Sequence, residues 1–412
     1  MSFLPPNRTM RRFLMRALAL FVVLSPLPAY AQDSIKLGLS YPNTGRYKEL
    51  GIEQARGALL AIEELNQQGG LLGKPLQMIT AKGRSRADKA TDTIRNLASQ
   101  GAVMLFGGSP DPAAAIDEAA RHKLVYFDTL TYSSTLNTRK NQATHANVFQ
   151  ASYDSWMAAK SLAFYLKQSI QGKRVFYITA DAEWGRQTEE NLRRFTATED
   201  HKRHPGTYVK FPRPRPNDLE QAIQAAATSK ADVLVLIQYS DDLSSALRIA
   251  HNAGIKERMK IVVPNLSLGI ARSAGADAME GVYGTTPWSW QVPYVYSFKK
   301  GQDFIAQYVK AYQEYPSYAA ATAYSMVHEF HRAATQAGTT QSKAVIKALE
   351  GHTYIGVKDP QTWREFDHQN VQSVYVVKGK KREDVISSQY RQDYFDVLFD
   401  VSGLVVARAQ NE

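Results

Sequence analysis

The sequence predicts an α/β protein of two doubly wound parallel-sheet lobes, and three observations carry that expectation. Apolar runs of strand length alternate with amphipathic segments of helical period from Ile35 onward. The rhythm restarts near Phe149, as a second sheet would require. About 380 residues follow a removable leader, enough for two cores, since single cores stop growing at roughly 250 to 300 residues.

The first unit reads as a strand over 35–41 and a helix over 49–66. In that helix Ala55, Leu59, Ile62 and Leu65 recur at steps of three and four, while Glu53, Arg56, Glu63 and Glu64 mostly take the opposite face. Gly69-Gly70 ends it. A strand over 75–81, a helix over 88–99 and a buried strand over 102–106 come next. The turn 107–112 holds two prolines suited to a helix start, the helix runs to Arg121, and 124–128 is a fourth strand. Such alternation calls for a parallel sheet covered on both faces.

After Phe149 the order is helix 156–168, strand 174–179, helix 185–196, strand 207–210 and helix 219–228. The apolar strand 233–237, helix 243–253 and strand 260–263 complete the run, and 282–286 adds a further strand. Long helices over 298–315 and 319–337 need a sheet to cover, so the chain is expected to recross to the first lobe. The tail beyond Lys378 places Tyr390, Tyr394, Phe395, Leu398 and Phe399 in a charged stretch and is expected to pack on the second lobe.

Residues 1–31 have the pattern of a secretory signal peptide: Arg8, Arg11, Arg12 and Arg16, then an apolar run over 17–24, then Ala29-Tyr30-Ala31 as a cleavage site. The run is shorter than the roughly 20 residues of a membrane span, and no later segment approaches that length. Phe13 directly after Arg11-Arg12 favours ordinary secretion over a twin-arginine signal. With no cysteine there is neither a lipid-anchor site nor a disulfide, so the expected product is free in a periplasm, without a membrane anchor.

The formal net charge of +11 falls to +7 once the four leader arginines are removed. The remaining basic clusters, Arg84/Arg86, Arg193/Arg194, Lys202/Arg203 and 378–382, lack the aromatic-interleaved stripe of a nucleic-acid surface and read as solvated faces. Catalytic patterns are missing as well. No Gly-x-Ser-x-Gly occurs, and GGLLGKP over 69–75 has the wrong glycine spacing for a phosphate loop. His328-Glu329-Phe330-His331 has Arg332 where a zinc helix needs histidine, and is expected to be a solvated helix face. His201 and His204 are expected at the surface, in a Lys/Arg-rich turn. The expectation is a protein without catalytic residues, bound metal or cofactor.

The stretch from IKLGLSYPNTG at Ile35 through AVMLFGG at Gly108 resembles the amino-terminal lobe of periplasmic binding proteins of the leucine/isoleucine/valine and amide group, the type I fold. Asp181-Ala182-Glu183-Trp184-Gly185, Ala231-Asp232-Val233-Leu234, Glu280-Gly281-Val282-Tyr283 and the Tyr324 helix continue the resemblance. It implies two lobes joined by three hinge crossovers near Phe149, Pro287 and Phe366, with lobe 1 over 32–149 and 287–366 and lobe 2 over 150–286 and 367–412. It also implies a small-molecule ligand closed between the lobes and delivered to the membrane permease of an ABC transporter. A receptor reporting its solute to a membrane sensor is the alternative, and a neighbouring permease gene would discriminate.

Carried over position by position, Ser109 and Asp111 fall in the loop that holds a ligand carboxylate, Thr129 and Thr131 in the next loop. Trp184 and Tyr239 match aromatic walls of the second lobe, Asn265 stands where amino-acid binders carry an acid, and Tyr47 lies at the cleft edge. The aromatics also have a plainer reading as core or interlobe packing, and the hydroxyls as turn residues bonding their own backbone. Trp288 and Trp290 either line the cleft or pack the hinge. Asn265 pairs weakly with an ammonium group and Asp111 repels a carboxylate, so both departures count against a simple amino acid. An amide or urea-like compound, an aromatic acid, a more apolar molecule and an amino acid remain the candidates.

Overall fold

The computed structural model describes residues 33–41, 44, 47–81, 89–109, 111–134, 146–169 and 172–410; the leader and the basic positions Lys82, Arg84 and Arg86 lie outside them. The first sheet holds β1 (Ile35–Ser40), β2 (Leu76–Thr80), β3 (Ala102–Gly107), β4 (Val125–Asp128) and β5 (Val148–Gln150). They are all parallel, in the order β2-β1-β3-β4-β5. Helices α1 (Lys48–Gln67), α2 (Ala90–Ser99) and α3 (Pro112–Arg121) connect them. The strand pleat sorts the core: Met104, Phe106, Val125 and Phe127 pack on one face, Leu105 and Tyr126 on the other.

The chain then enters a second sheet through α4 (Ser155–Ser169), β6 (Val175–Asp181), α5 (Glu183–Thr196) and β7 (Gly206–Lys210). It continues with α6 (Pro216–Thr228), β8 (Val233–Ile237), α7 (Ser240–Asn252), β9 (Lys260–Val263), α8 (Leu268–Ala274), α9 (Ala276–Met279) and β10 (Tyr283–Thr286). After α10 (Val292–Val295), the long helices α11 (Lys299–Tyr312), α12 (Tyr318–Ala337) and α13 (Ser342–Leu349) follow. A small antiparallel sheet comes next, of β11 (Thr353–Tyr354), β12 (Gln361–Trp363) and β13 (Asn370–Val371). The tail adds β14 (Val374–Gly379), α14 (Arg382–Ser387), β15 (Phe395–Val401) and α15 (Gly403–Val406).

The second sheet runs β15-β14-β10-β9-β8-β6-β7. Its strands β7, β6, β8, β9 and β10 are parallel and repeat the winding of the first sheet, so each sheet reverses direction once, between β1 and β3 and between β6 and β8. At such a reversal the loops leaving the carboxyl ends splay apart and open a crevice. The tail extends this sheet with two antiparallel strands rather than merely lying on it: β14 pairs with β10, and β15 with β14.

Helix α12 returns to the first sheet and lies along α1. A Cβ on Gly57 of α1 would stand 2.1 Å from the carbonyl oxygen of Ala320, so only glycine permits this approach. Gly57→Ala is expected to destabilise the protein by about 1–2 kcal/mol, overpacking outweighing the gain in helix propensity. Chemical denaturation measures it, and a more stable variant would disprove the close contact. The same packing explains why the apolar stripe on α1 differs from the periodicity: Leu59 is 44% exposed, whereas Glu53, Gln54, Ala58 and Ala61 are buried. A helix gripped on two sides buries part of its polar face.

Two histidine expectations fail for similar reasons. His204 is buried, and its Nδ1 accepts the Val175 N–H at 3.2 Å. On α12, Glu329 is buried and accepts the Trp363 indole N–H at 3.2 Å, while the His331 ring lies 3.0 Å from the Gly70 carbonyl. That segment is packed structure, not a solvated face.

Where the chain passes between sheets, long polar side chains tie the strands together. The ammonium of Lys358 donates to the carbonyls of Pro287 and Ser373, each at 2.8 Å, and to Gln372 Oε1 at 3.0 Å. Gln372 Nε2 donates to Ala151 O at 2.8 Å and Gln369 Nε2 to Ser152 O at 3.0 Å. One network therefore joins the segments after β5, after β10 and before β14.

Candidate functional site

Both crevices open onto one cavity of about 400 Å³. The first sheet supplies Tyr47 and Leu50 at the start of α1, Gly108, Ser109 and Pro112 after β3, and residues 130–133 after β4. The second supplies 182–184 after β6, Phe211 and Pro212 after β7, Tyr239 after β8 and Asn265 after β9. Every wall segment thus follows a parallel strand.

Trp184 is the centre of the second wall. Its placement depends on the next residue: a Cβ on Gly185 would sit 2.2 Å from the Ala180 carbonyl oxygen, so glycine lets α5 start hard against β6. The indole stands nearly perpendicular to three other rings. It meets Phe211 at 5.2 Å and 82°, Tyr132 at 6.2 Å and 75°, and Tyr239 at 6.4 Å and 74°. Tyr47, from the first wall, lies 6.3 Å from Tyr239. The walls touch across the cleft.

The hydroxyls of these tyrosines have partners of their own. Tyr132 donates to the Pro264 carbonyl at 3.2 Å, and Tyr239 shares a hydrogen bond with Tyr318 at 3.2 Å. Asn265 accepts from the Tyr153 hydroxyl through its amide oxygen at 2.9 Å. Burial pushes the phenols of Tyr132, Tyr153 and Tyr239 well above their ordinary range, so all stay neutral.

Of the residues singled out from sequence, Tyr47, Ser109, Thr131, Trp184, Tyr239 and Asn265 come together around this cavity. Asp111 and Thr129 do not line it. Asp111 caps α3, its carboxylate accepting the Ala114 N–H at 3.1 Å. Thr129 is fully buried and donates to Gln54 on α1. Trp288 is buried with its indole N–H on Val357 O, and Trp290 stacks on Tyr315 at 3.9 Å, so both pack beside the hinge. Sequence reasoning missed Tyr132 and Phe211. Phe211 directly follows a predicted strand, 207–210, and the strand-end rule applied there would have found it.

The sequence model of the periplasmic binding protein family matches residues 34–384. This chain belongs to the periplasmic binding protein family. It is similar to Leu/Ile/Val-binding protein homolog 7 of Brucella melitensis, 23% identical over 311 residues, covering 70% of this chain and 73% of that one. A periplasmic binding protein from Burkholderia mallei superimposes with a TM-score of 0.80 at 23% identity, over 92% of this chain and 98% of that chain. The solute binding protein of an ABC transporter from Rhodopseudomonas palustris, in complex with 3,4-dihydroxy benzoic acid, does so with a TM-score of 0.75 at 17% identity, covering 90% and 98%.

Beside the cleft of this periplasmic binding protein lies a second hollow of about 730 Å³, lined by charge. Five of its ions form one paired group. Arg272 of α8 reaches Glu49 and, at 3.4 Å, Glu53 on α1, and meets Glu314 at 3.2 Å; Arg56 pairs with Glu314 as well. Glu53 is fully buried and accepts the Ser317 hydroxyl. Burial outweighs these partners and raises its carboxyl from 4.5 to about 7.

The folded protein thus binds a proton at Glu53 that the unfolded chain has released between pH 4.5 and about 7, so this group's contribution to stability falls as pH rises through that window. Glu53→Gln is expected to flatten the slope of unfolding free energy in that window by on the order of 1–3 kcal/mol in total. Thermal melts of both proteins from pH 4.5 to 7.5 test it, and identical slopes would refute the assignment.

Proposed function

We propose that this protein is the periplasmic receptor of an ABC importer, closing its two lobes on a small organic solute and presenting the closed form to a membrane permease. The observation that supports this most is the shared cavity, built from the strand ends of both sheets, so that a ligand there contacts both lobes at once. Closure is then a population shift toward the state in which both walls touch the solute. Tyr47, Ser109, Thr131, Trp184, Tyr239 and Asn265 are the contacts in this reading, with Asp111 and Thr129 shaping the turns behind them. The leader-like residues 1–31 support export to the periplasm.

Solved structures of this fold hold ligands of different chemistry, isoleucine in a substrate binding protein from Streptococcus pneumoniae and 3,4-dihydroxy benzoic acid in the Rhodopseudomonas palustris protein. Native mass spectrometry of protein purified without refolding is expected to reveal a co-purified small molecule, and small-angle scattering should show contraction when it is restored. Protein that carries no solute and never contracts would overturn the receptor reading.

A further inference from the structure

Two helices reach both the cavity and the charged hollow beside it. At its start α1 turns Tyr47 and Leu50 to the cavity, and it places Glu49, Glu53 and Arg56 along the hollow. Helix α8 begins three residues after Asn265, which lines the cavity, and sends Arg272 into the hollow. Each is anchored in a different core. Ala58, Ala61, Ile62 and Leu65 of α1 pack with Leu37, Met104 and Phe127 of the first sheet. Leu268, Ile270, Ala271 and Ala274 of α8 pack with Leu247, Ile261 and Val263 around the second, where the Ser244 hydroxyl on α7 donates to the Ile270 carbonyl at 3.3 Å.

The two helices meet closely: a Cβ on Gly269 of α8 would stand 3.6 Å from the Glu49 carboxylate. One guanidinium joins them. Arg272 pairs with Glu49, reaches Glu53 at 3.4 Å and meets Glu314, in the loop before α12, at 3.2 Å. Glu314 in turn pairs with Arg56 back on α1. Exposed ion pairs contribute little, but Glu53 is buried, and withdrawing a cation from a buried carboxylate leaves its charge short of a partner. The lever between cavity and ions is short. Leu50 and Glu53 lie about 4.5 Å apart along the helix axis, so widening the cavity there by a few ångströms pulls Arg272 out of hydrogen-bonding range of α1.

We propose that Arg272 is an ionic latch between the lobes, holding them closed on the solute through Glu49, Glu53 and Glu314, so that affinity is set partly outside the cavity. This rests on the receptor reading and adds a positioning residue to it. A solute gripped by both walls binds tightly only to closed molecules, so the fraction that the latch keeps closed scales the apparent affinity.

Spin-label distances across the lobes of the full mature protein test it, since the chain has no cysteine of its own to interfere. Labels at Lys347→Cys on α13 and Glu220→Cys on α6, both exposed, report lobe separation at pH 8, where Glu53 is ionised. The labelled parent is expected to shift toward longer separations as sodium chloride rises from about 0.01 to 1 M, which cuts the screening length from about 30 to 3 Å. Arg272→Met should hold an open population at least about threefold larger at low salt and respond little to more salt. Glu49→Gln, at a side chain 55% exposed and so remote from folding, should fall between the two. Lys299→Gln, which breaks an exposed ion pair within one helix, should match the parent. The extract released by heating the parent protein serves as the solute probe, and Arg272→Met should need at least about fivefold more of it to close. Separations in Arg272→Met and Glu49→Gln equal to those of the parent overturn the latch. If the extract still closes these variants as it closes the parent, the receptor reading stands while the latch falls; if neither extract, salt nor substitution moves the labels, both fall.

Discussion

Trp184→Ala is expected to weaken solute binding by roughly 30- to 1,000-fold, the effect of removing a central aromatic anchor worth about 2–4 kcal/mol. The indole contacts three of the other cavity rings, two from its own lobe and Tyr132 from the opposite one, so its loss opens the box on every side. The local fold should survive. Gly185 still lets α5 abut β6, and the Trp184 carbonyl still accepts the Thr188 hydroxyl at 2.6 Å. Because the side chain is only half-buried, the expected loss of stability is about 1 kcal/mol or less. Titration calorimetry with the co-purified solute measures the first effect and thermal denaturation the second. Trp184→Phe should recover part of the affinity. Binding within threefold of the parent protein for the alanine variant would remove Trp184, and with it the cleft, from the functional account.

That Trp184 was legible in the sequence while Tyr132 was not follows from how each is placed. Strands β1, β3, β6 and β8 are apolar runs bounded by turn residues, and their positions in the structure differ from the expected ones by a residue or two. The family resemblance supplied Ser109, Trp184, Tyr239 and Asn265, and each also falls two or three residues beyond the carboxyl end of a parallel strand, where a crevice opens. Direction is harder. Thr129 follows β4 as closely as any of them, but its side chain turns to Gln54 on a helix some 75 positions earlier, a contact no local pattern encodes. Asp111 is retained by its own helix start, a local rule that competed with the ligand reading and prevailed. Tyr132, one step past Thr131, reaches across the cleft to Pro264. The antiparallel strand β15 escaped notice because its alternate residues Asp396, Leu398 and Asp400 face solvent at the sheet edge, giving a charged and irregular composition.

The hinge yields the other large effect: Lys358→Met is expected to destabilise the protein by about 3–5 kcal/mol. The lysine is buried, 3% exposed, and its three donors are matched by three acceptors, the carbonyls of Pro287 and Ser373 and the amide oxygen of Gln372. Methionine fills the volume but leaves those buried acceptors unmet, each at a cost of about 1–3 kcal/mol, partly relieved by repacking. Burial pulls the ammonium down from 10.5 to about 8, so at neutral pH it keeps its proton. Between pH 8 and 10.5 the unfolded chain holds a proton that the folded protein has released, and stability from this group rises with pH across that window. The methionine variant should lose that rise, which separates the role of the charge from simple packing. Its position gives a functional readout too, since Pro287 and Ser373 belong to two of the passages between sheets and Gln372 ties them to the third through Ala151. The same hinge reaches the cavity loop after β4, where Gln150 Nε2 donates to the carbonyls of Thr131 and Ser133, each at 3.3 Å. Loosening the Lys358 clip should therefore broaden the distribution of lobe separations in the unliganded protein, seen as a larger radius of gyration in scattering, and weaken solute affinity without altering any cavity residue. A variant as stable as the parent, with the same unliganded radius, would show that the three passages move independently of this lysine.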